Sequence, residues 1–241
     1  MTRTRLEDAL TRFGLRLRGG WIPGPTDALP PLPGGRAAAV VWMVGMAGSE
    51  CWGAFSGSPF FSDGLANPLD RWSASIGDAL AQQNGGQALY PSDGPPYHPF
   101  QQWADRCEPT QSSPMMLRIH PDYGLWHAYR FALAMPELHA DDQVGQEQTL
   151  PPVLQPVSAD ICLQCDGQPC LHACPVNAYS GTSFAVDHCR TNLHTPQGQE
   201  CMQGGCLARN ACPVGRKYAY QPEHAAFHMR AFLPSRPPTA A

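Results

Sequence analysis

The sequence predicts an α+β protein of two consecutive domains, and three observations lead to that fold class. Helix-like and strand-like hydrophobic patterns both occur before the stretch 137–157, which is polar and rich in proline. Eight of the ten cysteines follow that stretch, between Cys162 and Cys212. We therefore predict an α/β domain over residues 1–155 and a cysteine-rich domain over residues 156–241.

The first elements of the N-terminal domain are predicted to be an amphipathic helix and a buried strand. Leu6 and Leu10 recur at helical spacing, which predicts a helix over residues 4–14. The apolar run 37–48 is too short to cross a bilayer as a helix. We interpret residues 40–44 within that run as a strand.

A second helix and a hairpin are predicted to complete this domain. Asn67 is a suitable N-cap and Pro68 suits the first helical position. The apolar stripe of this helix is Leu69, Trp72, Ile76 and Leu80. Strands over residues 115–120 and 125–134 are predicted on either side of the turn 121–124.

Composition and charge narrow the range of partners. The formal net charge is −4, so there is no electrostatic reason to expect a nucleic acid or an anionic membrane as partner. The N-terminal residues carry charges throughout and lack the apolar core of a secretory signal. We therefore expect a cytoplasmic protein.

The eight clustered cysteines form two groups, each of which ends in Cys-Pro. In chain order they are Cys162, Cys165, Cys170, Cys174, Cys189, Cys201, Cys206 and Cys212. A disulfide framework would spread along the whole chain, whereas a metal site concentrates its ligands. Eight thiolates are the number that two [4Fe–4S] clusters need. Outside the groups, Cys51 and Cys107 are interpreted as small buried hydrophobic residues.

The assignment of the thiols to two clusters follows from the two Cys-Pro endings. In two-cluster ferredoxins, the cysteine before proline ligates the other cluster. By that rule one cluster takes Cys162, Cys165, Cys170 and Cys212. The other takes Cys174, Cys189, Cys201 and Cys206. Gln168 and Pro169 lengthen one gap beyond the standard bacterial spacing, which leaves the individual assignments open.

Zinc is the structural alternative, because two four-cysteine zinc sites could also hold a small domain together. Such sites usually pair two C-x2-C knuckles, and this sequence has one, Cys162 to Cys165. Two Cys-Pro endings are not typical of zinc sites. The pattern therefore favours iron–sulfur clusters.

The order of the eight cysteines resembles the C-terminal module of epoxyqueuosine reductases and related reductive dehalogenases. Residues 33–36 (PGGR), before the predicted strand, resemble the opening of that family's N-terminal domain. Residues 116–126 (MLRIHPDYGLW) resemble its hairpin and, more closely, a hairpin of CblC-type cobalamin-processing proteins. Residues 67–70 (NPLD) resemble a CblC helix start. The glycine-rich stretch that precedes the hairpin in epoxyqueuosine reductases is absent, because residues 106–114 read RCEPTQSSP.

These resemblances imply a fold and cofactors for each domain. Both families use a modified nitroreductase-like α/β scaffold that holds a corrinoid. The resemblance therefore implies a nitroreductase-like, CblC-like N-terminal domain with a corrinoid (cobalamin), followed by a ferredoxin-like domain with two [4Fe–4S] clusters.

The resemblances also suggest roles for four residues. Asp93 lies where epoxyqueuosine reductases carry the catalytic acid, although an Asp before Gly-Pro is also a common turn residue. His120 matches the CblC hairpin histidine, which would place it near the corrinoid. The alternative is a strand-end histidine bonded to the backbone. Tyr123 and Trp126 could line a flat ligand or belong to the core.

The leading hypothesis is an iron–sulfur oxidoreductase that passes single electrons to a corrinoid or a small-molecule substrate in the N-terminal domain. A redox partner protein would supply the electrons. The alternative is an electron carrier or partner-binding protein without its own active site, which the missing glycine-rich stretch favours. A third hypothesis is a zinc-containing interaction protein.

Overall fold

The structure is a computed structural model that describes residues 1–139 and 160–233. The predicted domain boundary at 155 and most of the predicted linker lie outside these residues. By its internal contacts the chain divides into two compact units. The sheet unit comprises, among the described residues, 1–110 and 127–139, and the cysteine unit comprises 111–126 and 160–233.

The described residues contain both helices and strands. The strands are β1 (Arg16–Trp21), β2 (Val40–Ala47), β3 (Gln87–Leu89), β4 (Gln111–Ser112), β5 (Arg118–Ile119) and β6 (His127–Met135). The α-helices of the sheet unit are α1 (Arg3–Thr11), α2 (Trp52–Ser56), α3 (Pro59–Ser62), α4 (Pro68–Gln83) and α5 (Phe100–Cys107). Those of the cysteine unit are α6 (Pro169–His172), α7 (Val186–Leu193), α8 (Gln199–Gly204), α9 (Leu207–Asn210) and α10 (Pro222–Phe232).

The sheet unit is built on an antiparallel sheet with the strand order β1-β2-β6-β3. Trp103 on α5 packs with Val41 and Met43 of β2. On β6, Phe131 lies against Gly77 of α4. Because side chains alternate along a strand, contacts with both helices cover both faces of the central strands. All eight residues of β2 are buried, which explains why its sequence is a continuous apolar run.

Several predicted elements of the sheet unit are confirmed. The predicted N-terminal helix is α1, and the strand predicted over residues 40–44 is β2. Helix α4 begins at Pro68, and the four residues of its predicted apolar stripe are buried. Asn67 occupies the predicted N-cap position, but not with the expected capping geometry. Its backbone is left-handed, with φ +52°, and its side chain makes no capping bond.

The strand predicted over residues 115–120 is wrong in most of its length. Met116 has a φ of +59°, which no strand residue adopts, and a turn forms around it. This turn is closed by the Ser113 N–H, which donates to the Leu117 carbonyl oxygen at 3.0 Å. Only β5 remains extended, paired with β4.

The architecture agrees with the predicted α+β class, with a small antiparallel sheet and helices. The nitroreductase-like and ferredoxin-like identities of the two parts remain predictions. The hairpin residues 111–126, predicted within the N-terminal domain, group with the cysteine unit instead. Across the described ranges, the structure has no helix long and apolar enough to cross a bilayer.

Candidate metal centre

The core of the cysteine unit is built partly from thiols. Its buried residues are Met115, Ile119, Leu125, Trp126, Cys174, Ala178, Ala208 and Cys212. Cys162, Cys170, Cys189 and Cys206 pack against this core and are partly buried. The unit therefore places cysteine side chains where a larger domain would place leucine or valine.

A tight loop presents the first thiols. The carboxylate of Asp160 accepts hydrogen bonds from the backbone N–H groups of Cys162 and Leu163, at 2.9 and 3.2 Å. Gln168 adopts a left-handed φ of +39°, and its side-chain amide donates to the Cys162 carbonyl oxygen at 3.0 Å. Pro169 then begins α6, which carries Cys170. Gln168 and Pro169, which lengthen the gap between Cys165 and Cys170, thus also close the loop that carries Cys162.

Four thiols lie close together in this part of the cysteine unit. We call Cys162, Cys165, Cys170 and Cys212 the first set. Burial is the main cause that raises the pKa of the Cys162 thiol to about 11, followed by the charge of Asp160. The neighbouring thiols of Cys212, Cys170 and Cys165 also raise the pKa of Cys162. Burial, then Cys212 and Cys165, likewise raise the pKa of Cys170.

A cavity lies between the thiols of the first set. Its open space is about 290 Å³, including its opening to solvent. The lining comprises Cys162, Cys165, Cys170 and Cys212 together with Pro114, Ile119, Ile161, Gln168, Pro213 and Val214. Apart from the thiols and the amide of Gln168, the lining side chains are apolar. The surroundings therefore limit access of water to the sulfur atoms.

The second set comprises Cys174, Cys189, Cys201 and Cys206. The pKa of Cys189 is raised to about 11 by burial first and then by Cys206, Cys174 and Cys201. The Ala178 N–H donates to the sulfur of Cys174 at 3.3 Å. Tyr179 lies near this set and, like its thiols, packs against the core of the cysteine unit. Burial raises the pKa of Tyr179, and the charge of Cys206 raises it further.

The two sets are those that the ferredoxin crossover rule predicts. Cys212 lies with the cysteines of the first sequence group, and Cys174 lies with those of the second. The structure thus brings together the eight predicted residues in two groups of four. Their role as metal ligands remains a prediction. Within residues 1–139 and 160–233, no three or more His, Cys, Asp or Glu side chains are placed to hold a single metal ion.

The donor chemistry of the two sets fits an iron–sulfur cluster. Four neighbouring thiols disfavour one another's ionisation, and a cationic metal group reverses that effect by binding the thiolates. Backbone N–H groups also point at the sulfurs, with Leu207 at Cys201 and Val214 at Cys212. Such bonds favour the charged form of a sulfur ligand.

His120 lies in the hairpin, where its ring nitrogen stabilises the turn. Its Nδ1 accepts hydrogen bonds from the backbone N–H groups of Asp122 and Tyr123, at 3.0 and 3.3 Å. His120 and Gly124 also exchange two backbone hydrogen bonds. An accepting Nδ1 leaves the proton of a neutral imidazole on Nε2, so neither nitrogen presents a lone pair to a metal. These contacts are those of the alternative interpretation, a strand-end histidine bonded to the backbone.

The two hairpin aromatic residues occupy different environments. The ring of Tyr123 stacks on His120 at 4.4 Å and meets Tyr218 edge-on at 4.9 Å. Trp126 is 1% exposed and belongs to the core of the cysteine unit. Both residues pack within the protein, and their role in lining a ligand remains a prediction.

Asp93 lies in an exposed loop of the sheet unit. Its carboxylate accepts a hydrogen bond from the Tyr90 N–H at 2.9 Å, and its own N–H donates to the Tyr90 carbonyl at 3.1 Å. These bonds are those of a turn residue. Its catalytic role remains a prediction.

Two cysteines outside the sets were correctly predicted to be buried. Cys51 and Cys107 are 1% and 4% exposed in the sheet unit. Burial raises their pKa values to about 11 and about 12, respectively. They are therefore protonated, unreactive thiols at neutral pH.

Tyr179, near the second set, was not predicted as a site residue. The one signal available was its position five residues after Cys174 in the chain. No periodicity or motif distinguishes a tyrosine that lies beside thiols from one elsewhere in the core.

Comparisons with known proteins show resemblance only to solved structures. No protein-family model matches the chain, and no curated protein matches it. A crystal structure of epoxyqueuosine reductase with an epoxyqueuosine-modified tRNA stem loop is 14% identical, with a TM-score of 0.41. An epoxyqueuosine reductase from Bacillus subtilis is 15% identical, with a TM-score of 0.42. Each alignment covers 92% of this chain and 70% of the other.

Proposed function

We propose that the cysteine unit holds two [4Fe–4S] clusters and that the protein transfers single electrons through them. The observation that carries this proposal is the arrangement of eight thiols in two sets of four with exchanged Cys-Pro cysteines. That exchange is the ligation pattern of two-cluster ferredoxins. The clusters supply one-electron chemistry when bound.

The chain's own residues would hold, shield and tune these groups. The eight thiolates bind them, and the apolar lining near Ile119, Ile161 and Val214 keeps water from the first set. Backbone N–H groups such as that of Ala178 stabilise negative charge on the sulfurs. Electrons would come from a redox partner protein that is a one-electron reductant.

The electron acceptor distinguishes two forms of this proposal. In the first, the sheet unit is a nitroreductase-like domain that presents a corrinoid or a small-molecule substrate. In the second, the protein is an electron carrier that reduces a partner. The hydrogen bonds at His120 and Asp93 favour the carrier, because both side chains are engaged in local turns. An RNA partner is not expected at a net charge of −4, and this too remains a prediction.

Anaerobic purification with iron, sulfide, zinc and cobalt analysis tests the proposal. We expect about eight iron and eight sulfide per chain, with absorbance near ~400 nm that dithionite bleaches. C189S should lose about half of the iron, because it removes one ligand of the second set. C51S is the matched control, because Cys51 lies in the sheet unit, and it should keep all of the iron.

Two outcomes would contradict or refine the proposal. Stoichiometric zinc in a colourless protein would replace it with the structural alternative. A spectral change on titration with cobalamin, or cobalt in the purified protein, would favour the corrinoid enzyme over the carrier.

A further inference from the structure

Helix α10 carries two histidines whose rings meet. His224 and His228 are four positions apart, which places both side chains on the same face of the helix. Their Nε2 atoms lie 3.0 Å apart. At that distance one Nε2 donates a hydrogen bond to the other, and two neutral imidazoles are sufficient for this bond.

Aromatic side chains hold the two rings in place. The ring of Tyr220 stacks on that of His224, with centroids 4.3 Å apart and an angle of 20° between the planes. The ring of Phe227 meets that of His228 edge-on at 5.5 Å. His224 is 1% exposed, whereas His228 is half-buried. The pair is therefore preorganised, and solvent reaches one of its two members.

The separation of the two nitrogens matches that of a pair of ligands on one metal ion. Imidazole nitrogens bind divalent transition metals at about 2.0–2.1 Å, so two of them lie about 2.8–3.4 Å apart when the angle at the metal is about 90–110°. The 3.0 Å between the Nε2 atoms of His224 and His228 falls within that range. Two histidines one helical turn apart are also the arrangement by which zinc is held in helical metal sites.

We propose that His224 and His228 bind a divalent transition-metal ion that accepts imidazole ligands, such as Ni²⁺ or Zn²⁺, in a site that uses none of the eight clustered cysteines. Water completes the coordination, since the site has two protein ligands. Both Nε2 atoms must then present lone pairs to the ion, so the proton between them moves to the Nδ1 of its own ring. No net proton is released when both rings are neutral.

Charged neighbours do not supply the affinity of this site. The guanidinium of Arg209 lies 4.4 Å from the centroid of the Tyr220 ring and donates to the Leu125 carbonyl oxygen. Its charge opposes a bound cation, whereas the carboxylate of Glu223, the residue before His224, favours one. These effects oppose each other, so the affinity depends on the two nitrogens and on their fixed separation.

Calorimetric titration with Ni²⁺ tests this inference on the anaerobic, iron-containing protein, purified without a histidine tag. H228A should weaken binding at this site at least ~100-fold, because two linked imidazoles act as one chelate. H194A is the matched control, since His194 is an exposed histidine of the same unit, at the end of α7. It should bind Ni²⁺ as the wild type does.

Hydrogen exchange followed by mass spectrometry gives a second measurement. Ni²⁺ should slow exchange of the α10 amides in the wild type and in H194A, because an ion bound to two successive turns stabilises the helix. Unchanged α10 exchange in the wild type would overturn the inference even if H228A failed to fold. Equal Ni²⁺ binding by H228A and the wild type would overturn it as well.

The test is independent of the proposed function. Thiols without a cluster would also bind Ni²⁺, and they would do so equally in the wild type, H228A and H194A. The difference of one ion per chain between the wild type and H228A therefore measures the histidine site alone. A wild-type protein without iron would contradict the proposed clusters, whereas the loss of that difference would contradict only the histidine site.

Discussion

The two units achieve a stable interior by different means. The sheet unit buries a continuous strand, β2, between helices on both faces, and apolar side chains fill its core. The cysteine unit has helices of 4 to 11 residues, too short to be stable by themselves, and cysteines in its core. A unit of this kind needs cross-links or a metal to compensate for a small apolar core. If the proposed clusters bind, we expect only the cysteine unit to depend on them for its fold.

Buried charge is also handled differently in the two units. In the sheet unit, the guanidinium of Arg18 is 1% exposed and donates two 2.6 Å hydrogen bonds to the Glu108 carboxylate. It also donates to the Met46 carbonyl oxygen at 3.1 Å, and the Tyr129 hydroxyl donates to Glu108. The counter-charge of this buried guanidinium is therefore a protein carboxylate. In the cysteine unit, each set of thiols would need a metal group to offset its like charges.

The largest expected effect comes from removing the metal. Anaerobic treatment with an iron chelator should unfold the cysteine unit, because under the proposed function the clusters compensate for its small apolar core. The loss is on the order of 10 kcal/mol if iron–sulfur ligation contributes as structural zinc does in small domains. Hydrogen exchange followed by mass spectrometry measures it for each unit. The amides of α7 and α8 should lose protection, while those of β2 and β6 keep theirs.

Equal protection of the amides of α7 and α8 before and after chelation would contradict this prediction. It would show that the cysteine unit folds on its packing alone. Loss of protection in β2 as well would mean that the sheet unit is not independent of the metal. The C51S variant, treated in the same way, checks that the buried thiols of the sheet unit take no part.

The second effect concerns the buried ion pair of the sheet unit. In E108Q the charge of Arg18 stays buried without its partner, and we expect a loss of about 3–5 kcal/mol in the free energy of unfolding. E50Q is the matched control, because Glu50 also accepts two bonds from an arginine, Arg16. That pair is exposed, with side chains 41% and 36% accessible, so the expected loss is about 0–1 kcal/mol.

Urea unfolding followed by tryptophan fluorescence measures both variants, since four tryptophans of the sheet unit are buried, namely Trp21, Trp42, Trp72 and Trp103. Equal losses in E108Q and E50Q would contradict the view that burial decides the strength of the pair. The iron content should be the same in both variants and the wild type, because neither glutamate belongs to the cysteine unit.

The smallest effect is steric and lies within the cysteine unit. Gly124 has a φ of +58°, and a Cβ there would lie 2.0 Å from the Val214 carbonyl oxygen. Gly167 has a similar φ of +64° with nothing within 4 Å of its Cβ position. G124A and G167A share the strain of a left-handed alanine, but only G124A collides with the loop after Cys212. We expect G124A to be less stable than G167A by about 1–3 kcal/mol.

Thermal loss of the visible absorbance, recorded anaerobically, compares these two variants. G124A should lose its colour at a lower temperature than G167A, and the wild type should be the most stable of the three. If G124A and G167A bleach together, the hairpin is not packed against the loop that carries Cys212.

Local patterns in the sequence were sufficient for the elements that depend on periodicity and spacing. The strand β2 and the apolar stripe of α4 were predicted correctly. Burial of the whole strand requires a continuous apolar run, and burial of one helix face requires an apolar stripe. The crossover rule also predicted the two sets of thiols, although the longer spacing left the individual assignments open. That rule needs only the order of the cysteines and the positions of the two Cys-Pro pairs. In the structure the same cysteines are neighbours in each set.

The backbone conformations and contacts of single residues depend on the tertiary structure. Asn67 and Met116 adopt left-handed backbones that their neighbours in the chain do not reveal. The hairpin 111–126 joins the cysteine unit because Gly124 and the loop after Cys212 approach closely, a contact between segments far apart in sequence. The same holds for Tyr179, whose ring stacks on Phe184 beside the core of the cysteine unit. Periodicity reports which face of an element is buried, but it cannot report which atom a buried side chain meets.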